Sequence, residues 1–454
     1  MKHLTPALMR PLLGTSAALV LLFVAGCSPT ASVLGGTGTS AGSGGSAGVG
    51  GGLDGTGGAA SGVPLRATGI AVGAAHGCAL LEDGRVACWG SGAHGQLGDG
   101  KAGAGHLRTV PAVVAGLAGV TAIRAGGDTT CAVTAGVARC WGDGAFGQLG
   151  DGMSGDGYFS AVPVDVANLD AVTDLSVSGS NACASRSDGT VLCWGRNAPA
   201  QWLGFDSTDC GPYSMPMGAK PATLVSVPCE TKPRKVPGAT GAIAVATGGE
   251  HNCAREDLGG ASCWGADNFG QLGDGMSGMA AHQVKPTEVQ GVGKVLRLAL
   301  GASHTCGVVG DAHSVRCWGD NSYGQLGLGT KAIDSYKTTP TEVVGVTGVV
   351  DLDAAGQTTC AALADGTVSC WGDTSTVLPV SPSKGGALVP TEVPGVAGAI
   401  EVRTSGAHAC ARSMDLRVVC WGQDDRGQLG NGSTHIADFS LAPVVPAQVP
   451  GGPG

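Results

Sequence analysis

The sequence is poor in aromatic residues, in charged residues and in positive charge. Aromatic residues make up 4% of the chain and charged residues 13%, and the formal net charge is -9 at pH 7. Binding to a phosphate backbone requires a basic face, so this balance argues against a nucleic-acid partner. The scarcity of aromatic residues counts against a carbohydrate-binding surface, which would need several of them clustered on one face.

Motifs of catalysis, metal binding and phosphate binding are missing as well. The chain has no phosphate loop, no C-x-x-C zinc spacing and no nucleophile with a matched base. The run DGMSGDG at 151–157 lacks the ligand order of a calcium loop and is interpreted as a glycine-rich turn. We therefore expect no enzyme activity, no metal and no cofactor. Catalytic residues scattered over the loops and converging on one face stay an open alternative.

The one long hydrophobic run lies near the N-terminus. It covers residues 17–25, follows a basic segment, and is shorter than the ~20 residues that a membrane span needs. This pattern is typical of a signal peptide over residues 1–27, and its ending VAGC resembles a bacterial lipobox, in which Cys27 is lipidated and Ser28 after it favours the outer membrane. We expect an exported chain that contacts the membrane only through a lipid anchor in the bacterial envelope. An ordinary secretory signal with a chance cysteine is the alternative.

Glycine, serine, threonine and alanine dominate residues 28–65. Such a composition cannot bury enough apolar surface to offset its ordering entropy, so it predicts a flexible linker with a root-mean-square span of ~35 Å. Residues 66–450 are then expected to form the folded domain.

The folded part is organised by a repeat. The triplet Cys-Trp-Gly occurs seven times, and successive copies lie 50–54 residues apart except for one interval of 70. This period, with one insertion in the third unit, indicates a repeat architecture rather than separate domains. The tryptophans of the triplets are Trp89, Trp141, Trp194, Trp264, Trp318, Trp371 and Trp421.

Each triplet closes a cysteine pair around a short turn. In CALLEDGRVAC a three-residue loop at 82–84 places Cys78 opposite Cys88, at a Cα separation that suits a disulfide. The separation between paired cysteines varies from nine to eleven residues, and each change is matched by a change of turn length. Because an exported chain permits disulfides, we predict eight of them. They join Cys78–Cys88, Cys131–Cys140, Cys183–Cys193, Cys210–Cys229, Cys253–Cys263, Cys306–Cys317, Cys360–Cys370 and Cys410–Cys420.

Two features of these hairpins leave alternatives open. Cysteine also packs as a small apolar residue, so unbridged buried thiols are the alternative to disulfides. In the last hairpin Leu416 stands where the other three-residue loops have glycine, so its turn is the least well defined.

The residue two positions before the first cysteine is polar in every unit. In four units it is histidine, which would suit a metal site or a proton transfer, but three units have threonine or asparagine instead. These side chains share the ability to form hydrogen bonds and do not make a common ligand set, so we interpret the position as structural. The residues are His76, Thr129, Asn181, His251, His304, Thr358 and His408.

A Pro-x-x-Val sequence also recurs in each unit, and the first six of its valines precede the next first cysteine by 17 residues. Cys78 has no such sequence upstream, whereas the last copy, at 446–449, has no cysteine downstream. We therefore predict that the C-terminal strand pairs with the N-terminal hairpin, which closes a ring and removes open sheet edges. With four strands per unit, the predicted fold is an all-β, seven-bladed β-propeller. Side-chain alternation would place each disulfide within a blade and each tryptophan between blades.

Five units continue from Cys-Trp-Gly into Gly-Gln-Leu-Gly, at 95–98, 147–150, 270–273, 324–327 and 427–430. With a His-x-Cys upstream, as at 304–306, the pattern WGxxxxGQLG resembles the regulator of chromosome condensation repeat family over essentially residues 66–450. The resemblance implies a seven-bladed propeller, in agreement with the ring-closure argument. Two units depart from the pattern, because the third reads AQWLG before its insertion and the sixth loses GQLG altogether.

The resemblance does not imply one activity. The eukaryotic founder of the family is a nucleotide-exchange factor for a nuclear GTPase and binds chromatin, which does not suit an acidic exported chain. Other members look like protein-binding platforms, and one secreted bacterial relative inhibits β-lactamases. We therefore expect a monomeric, envelope-anchored propeller that presents loops to a protein partner of unknown identity. An inhibitor of a secreted enzyme and a carbohydrate-binding propeller are the alternatives.

The insertion in the third unit is the predicted partner contact. Trp202 is the one tryptophan outside the triplets, and Tyr213 and Arg234 lie in or beside the inserted segment. Loops carry function, and aromatic and arginine side chains supply interface hot spots. A disulfide-closed loop with a self-packed tryptophan is the alternative.

Overall fold

The computed structural model describes residues 65–197, 203–206, 208–215, 223–331, 335–378, 386–434 and 442–444. These residues form seven antiparallel sheets, which are the blades of a β-propeller. The predicted all-β, seven-bladed fold is confirmed. Within the described ranges no helix is long and apolar enough to cross a membrane. Cys27, the predicted signal peptide and the predicted linker up to residue 64 lie outside these ranges, so these assignments stay predictions.

The first three blades contain strands β1 to β13. Blade 1 comprises β1 (Ala67–Val72), β2 (His76–Leu81), β3 (Val86–Ser91) and β4 (Leu107–Val113). Blade 2 comprises β5 (Val120–Gly126), β6 (Thr129–Thr134), β7 (Val137–Asp143) and β8 (Phe159–Asp165). Blade 3 comprises β9 (Val172–Val177), β10 (Asn181–Arg186), β11 (Val191–Arg196), β12 (Thr208–Met215) and β13 (Thr223–Lys235), in the spatial order β9-β10-β11-β13-β12.

The other four blades have four strands each, paired in chain order. Blade 4 comprises β14 (Ala242–Thr247), β15 (His251–Glu256), β16 (Ala261–Gly265) and β17 (Gln283–Glu288). Blade 5 comprises β18 (Val295–Leu300), β19 (His304–Val309), β20 (Ser314–Asp320) and β21 (Tyr336–Glu342). Blade 6 comprises β22 (Val349–Ala355), β23 (Thr358–Leu363), β24 (Val368–Gly372) and β25 (Ala387–Glu392). Blade 7 comprises β26 (Ala399–Thr404), β27 (His408–Ser413), β28 (Val418–Gly422) and β29 (Ala442–Pro443).

The second and third strands of every blade form the cysteine hairpin, in the register that the sequence predicts. Cys78 lies opposite Cys88, and the same opposition holds in the six other hairpins. Each of these pairs is joined by a disulfide with a Cα–Cα distance of 4.0 or 4.1 Å. The loops adapt as expected, because Gly84 has a φ of 78° while Ala135 and Gly136 form a two-residue turn with φ of 49° and 77°. Each hairpin is therefore closed covalently across its two strands.

Neighbouring blades pack through three residues that recur around the ring. Between blades 1 and 2, Leu97 of Gly-Gln-Leu-Gly and Val114 of Pro-x-x-Val cluster with Trp141 of the next blade. The Trp141 indole N–H donates to the carbonyl of Gln96 at 2.9 Å, and a Cβ at Gly98 would lie 2.9 Å from the indole nitrogen. The glycine is thus required by the close approach of the tryptophan. The prediction that tryptophan packs between blades is confirmed.

The predicted pairing between the C-terminal strand and the N-terminal hairpin is wrong. Strand β29 pairs with β28 of blade 7, and blade 1 is complete with β1, β2, β3 and β4. The sequence prediction assigned each Pro-x-x-Val strand to the hairpin that follows it. The structure pairs that strand with the hairpin before it, because the chain leaves the tryptophan strand through the Gly-Gln-Leu-Gly loop and returns antiparallel along it. No strand has to be exchanged between the two ends.

Single hydrogen bonds and one apolar cluster join blade 7 to blade 1. The Leu65 N–H donates to the carbonyl of Val444 at 3.3 Å, and the Ala67 N–H donates to the carbonyl of Leu416 at 2.8 Å. Trp89 packs with Leu429 and Val444 in the same way as at the other interfaces. Val444 therefore occupies the place that the sequence assigns to Val449, which lies outside the described residues.

Candidate interaction surface

The insertion of blade 3 extends that blade with a two-stranded hairpin. One end of β13 pairs with β11, and its other end pairs with β12, so β12 becomes a fifth strand at the outer edge. A disulfide joins Cys210 to Cys229, with a Cα–Cα distance of 5.5 Å. Blade 3 is therefore the blade that departs from the common four-stranded pattern.

The base of the insertion continues the inter-blade packing. Leu203 and Phe205 are buried in the cluster that contains Trp264 of blade 4. Asn197 fixes this turn, because its side-chain oxygen accepts the N–H of Leu203 at 2.7 Å and its amide donates to the carbonyl of Phe205 at 2.6 Å. Gly204, with a φ of 89°, lies against Trp264 as Gly98 lies against Trp141. The third unit lacks Gly-Gln-Leu-Gly, but Leu203 and Gly204 thus have the same structural role.

The three predicted contact residues are described to different extents. Arg234 lies on β13, its side chain is half exposed, and its guanidinium stacks 4.8 Å from the Phe205 ring centroid. It also donates to the carbonyl of Asp206 at 2.5 Å, so part of its function is to hold the insertion against its own base. Tyr213 is placed on β12 by its backbone, opposite Val225, and its side chain lies outside the described part. Trp202 lies outside the described residues.

Three exposed basic side chains lie at the C-terminal end of β13. Lys232, Arg234 and Lys235 are all exposed, within four residues of sequence. Glu230 lies 3.7 Å from the Arg234 guanidinium and is the acidic group paired with it. The chain has a net charge of -9, so this positively charged segment is opposite in charge to the chain as a whole. The charge of the segment is complementary to that of an acidic protein surface.

The polar residues before the first cysteines are buried hydrogen-bonding groups, as the sequence predicts. The imidazole Nε2 of His76, His251 and His304 lies 2.7–2.9 Å from a threonine hydroxyl in the next blade. Burial lowers the pKa of His76 to about 4 and the pKa of both His251 and His304 to about 3. Neutral, enclosed imidazoles of this kind stabilise the ring and offer no contact to a substrate.

A cavity of about 640 Å³ runs through the centre, lined by the first strand of each blade. Its charged groups are largely paired with one another: Arg403 and Arg297 both contact the buried Asp351, at 2.6 and 2.9 Å, and Arg124 contacts Asp174 at 2.9 Å. In the described part of the chain no group of three or more His, Cys, Asp or Glu side chains is arranged to hold a metal ion. Ion pairs between neighbouring blades are thus the main charged feature of the cavity.

One buried acidic pair was missed by the sequence analysis. Asp267 and Asp274 flank the Gly-Gln-Leu-Gly loop of blade 4, and each has one carboxylate oxygen that is buried without a hydrogen-bond partner. The sequence signal was the aspartate four residues after the second cysteine, where blades 3 and 5 have Asn197 and Asn321. Its meaning becomes visible only when the contacts of those asparagines are known.

Comparison with known sequences gives one family. Two models of the regulator of chromosome condensation (RCC1) repeat match the chain, one over residues 67–96, 172–198 and 295–325 and the other over 83–133, 259–308 and 313–363. The chain is 28% identical to the ultraviolet-B receptor UVR8 of Arabidopsis thaliana over 68% of this chain and 66% of the receptor. It is also 28% identical to the E3 ubiquitin-protein ligase HERC2 of Homo sapiens, over 59% of this chain and 5% of the ligase. The match thus spans just under two thirds of the receptor and a small part of the ligase.

Solved structures share the fold. Prp20p from Saccharomyces cerevisiae superposes with a TM-score of 0.63 at 19% identity, covering 80% of this chain and 85% of that chain. Human WBSCR16 gives a TM-score of 0.62 at 20% identity, covering 80% and 94%. The repeat motifs, the inter-blade contacts that they form and these comparisons agree with one another. The chain carries regulator of chromosome condensation (RCC1) repeats.

Proposed function

We propose that the chain is an envelope-anchored propeller that binds a protein partner through the blade 3 insertion and performs no catalysis of its own. The observation that carries this proposal is the β12–β13 extension, which interrupts a uniform ring with an additional edge strand and an exposed basic segment. Surface extensions on a rigid scaffold are where binding residues concentrate.

Known propellers of similar fold support a binding role. The structure of Prp20p was described together with its binding to Gsp1p and histones, and yeast RCC1 (Prp20) has been solved in complex with Kap60. All of these partners are proteins. For the present chain the partner would have to tolerate an acidic body and complement the basic end of β13, so a protein with an acidic surface patch fits best.

The anchoring part of the proposal rests on the lipobox-like ending at Cys27. A lipid at that residue followed by the linker would hold the propeller near the envelope surface without fixing its orientation. Such a tether raises the local concentration of the propeller around membrane-bound partners.

The experiment is chemical cross-linking and affinity capture of the full chain in its own envelope. The test variant carries Arg234→Glu and Lys235→Glu. We expect it to capture the partner roughly tenfold less well, because reversing two charges at a contact costs more than ~1.4 kcal/mol.

The matched control carries Lys285→Glu and Lys337→Glu, which make the same charge change at exposed positions on β17 and β21. Both double variants should melt within a few degrees of the parent chain. Equal loss of capture in the two variants would indicate a general effect of charge, and unchanged capture by the Arg234 and Lys235 variant would refute the proposed surface.

A further inference from the structure

One position recurs in the loop that leads from the tryptophan strand to Gly-Gln-Leu-Gly, four residues after the second cysteine. In blade 5 it is Asn321, whose side-chain oxygen accepts the Leu326 N–H at 3.1 Å. Its amide nitrogen donates to the carbonyl of Thr330 at 2.8 Å. Asn197 makes the equivalent pair of bonds in blade 3. The asparagine thus uses an acceptor and a donor to clamp the loop.

Blade 4 has Asp267 at this position. Its Oδ1 accepts the N–H of Leu272 at 3.0 Å, as the asparagine oxygens do. Its Oδ2 stands where the asparagines have an NH₂ group, but a carboxylate oxygen cannot donate, and this atom has no partner among the described residues. The side chain is fully buried, at 0% exposure.

A second carboxylate in the same loop also lacks its counterpart's partners. Asp274 directly follows Gly-Gln-Leu-Gly. The corresponding Asp99 contacts His106 and Arg108, at 3.1 and 2.9 Å, and the corresponding Asp151 accepts a hydrogen bond from the Tyr158 hydroxyl.

Seven residues after Asp274, where the other two blades have His106 and Tyr158, the chain has Ala281, which has no polar group. Asp274 is 7% exposed. Its Oδ1 accepts the N–H of Met276 at 2.9 Å, and its Oδ2 is buried without a partner.

The two carboxylates are close enough to affect each other. Burial, and then the negative charge of Asp274, raise the pKa of Asp267 to about 7, against the N–H bond from Leu272 that lowers it. The positive charges of Arg196 and His282 act on the carboxylate of Glu250, against the burial that raises its pKa. A buried, ionised carboxylate without a partner is unfavourable, so a proton or a bound cation has to compensate for it.

We propose that Asp267 Oδ2 and Asp274 Oδ2 bind one hard divalent cation, Ca²⁺ or Mg²⁺, in the 266–281 loop of blade 4. Both ions prefer carboxylate and carbonyl oxygens and accept water as a further ligand. The cation replaces the amide donor of blade 5 and closes the loop in its place.

The test uses the full chain after dialysis against a chelator. Isothermal titration with Ca²⁺, and separately with Mg²⁺, should show one bound ion per chain for at least one of them, and that ion should raise the melting temperature by several degrees. The Asp267→Asn variant restores the amide found in blades 3 and 5. We expect it to melt at or above the temperature of the ion-free parent chain and to lose the response to the ion.

The matched control is Asp151→Asn, at a carboxylate that has the Tyr158 hydroxyl as a donor, and it should keep the ion response. Two results would overturn the proposal. Asp267→Asn could bind the ion as the parent chain does, which would place the site elsewhere. Alternatively, neither ion could bind. The melting temperature of the parent chain, but not that of the Asp267→Asn variant, would then fall as pH rises from 3.8 towards about 7. Such a result would mean that Asp267 is protonated and donates a hydrogen bond as the asparagines do.

Discussion

The imidazoles of His76, His251 and His304 are fully buried, and each reaches a threonine hydroxyl of the following blade. The indole N–H of Trp141 likewise donates to a carbonyl of the preceding blade. These hydrogen bonds therefore fix the position of each blade relative to the next, at an interface that is otherwise apolar. A propeller with small blades and few aromatic residues needs such contacts, because apolar packing alone allows blades to slide.

Buried histidines make the stability of the ring dependent on pH. The pKa of His304 falls from 6.5 to about 3 on folding, so between these values the unfolded chain binds a proton that the folded chain does not. Stability is therefore lost as pH falls below 6.5. Between pH 7 and pH 5 the loss is about 2 kcal/mol for this residue.

His304→Asn, the residue type of blade 3, should remove that share of the pH dependence, measured by urea unfolding at both pH values. Thr358→Asn is the control, since it places the same residue at the equivalent position of blade 6 without removing a titrating group, and it should leave the pH dependence unchanged. An identical slope in the His304 variant would contradict the prediction.

Single residues were predictable where the repeat offered a comparison. The exchange of histidine for threonine or asparagine indicated hydrogen bonding without any structure. The partner of each side chain was not predictable, because it is contributed by a neighbouring blade about 50 residues away, as between His76 and Thr130. Asp267 was missed because its lack of a donor is apparent only beside the two bonds of Asn321.

At the scale of the element, the cysteine hairpin is the unit that the sequence defines best. Opposed cysteines allow the register to be counted outward from the turn, and Leu81 does pair with Arg85 as that count requires. Closing a loop of about ten residues by a disulfide stabilises a protein by about 3 kcal/mol in the chain-entropy description. The boundary between blades was not predictable in this way, because each Pro-x-x-Val strand has a hairpin on both sides in sequence and pairs with only one.

The two-residue turn of blade 2 can be improved. Ala135 has a φ of 49° and precedes Gly136, with a φ of 77°, so both central residues are left-handed. Asn-Gly is the preferred pair for such a turn, and alanine pays a steric penalty there that asparagine largely avoids. Ala135→Asn should therefore stabilise the chain by about 0.5–1 kcal/mol in equilibrium unfolding.

Ala364→Asn is the matched control, because Ala364 begins the hairpin loop of blade 6 without a left-handed φ. We expect no gain in stability from it. If both variants gained the same amount, the effect would belong to the exposed asparagine side chain and not to the backbone conformation of the turn.

At the scale of the whole molecule, the ring closes by the same contacts that join every other pair of blades. Leu429, Val444 and Trp89 repeat the arrangement of Leu97, Val114 and Trp141 across the two ends of the chain. The number of blades was predictable from the count of Cys-Trp-Gly triplets. The valine that closes the ring was not predictable. The Pro-x-x-Val pattern selects Val449, whereas the structure uses Val444, which lies closer to β28 in the sequence.

The closing valine can be identified by substitution. Val444 is fully buried, and its N–H donates to the carbonyl of Val418 at 3.1 Å, as the N–H of Val393 donates to that of Val368. Val444→Ala should therefore cost about 2 kcal/mol in urea unfolding, close to the cost of Val393→Ala at an internal interface. Val449→Ala is expected to cost much less, because Val444 already fills the place that the other Pro-x-x-Val valines fill at their interfaces. The reverse order of costs would mean that the C-terminal Pro-x-x-Val sequence closes the ring, and similar costs for all three would show that both valines contribute to it.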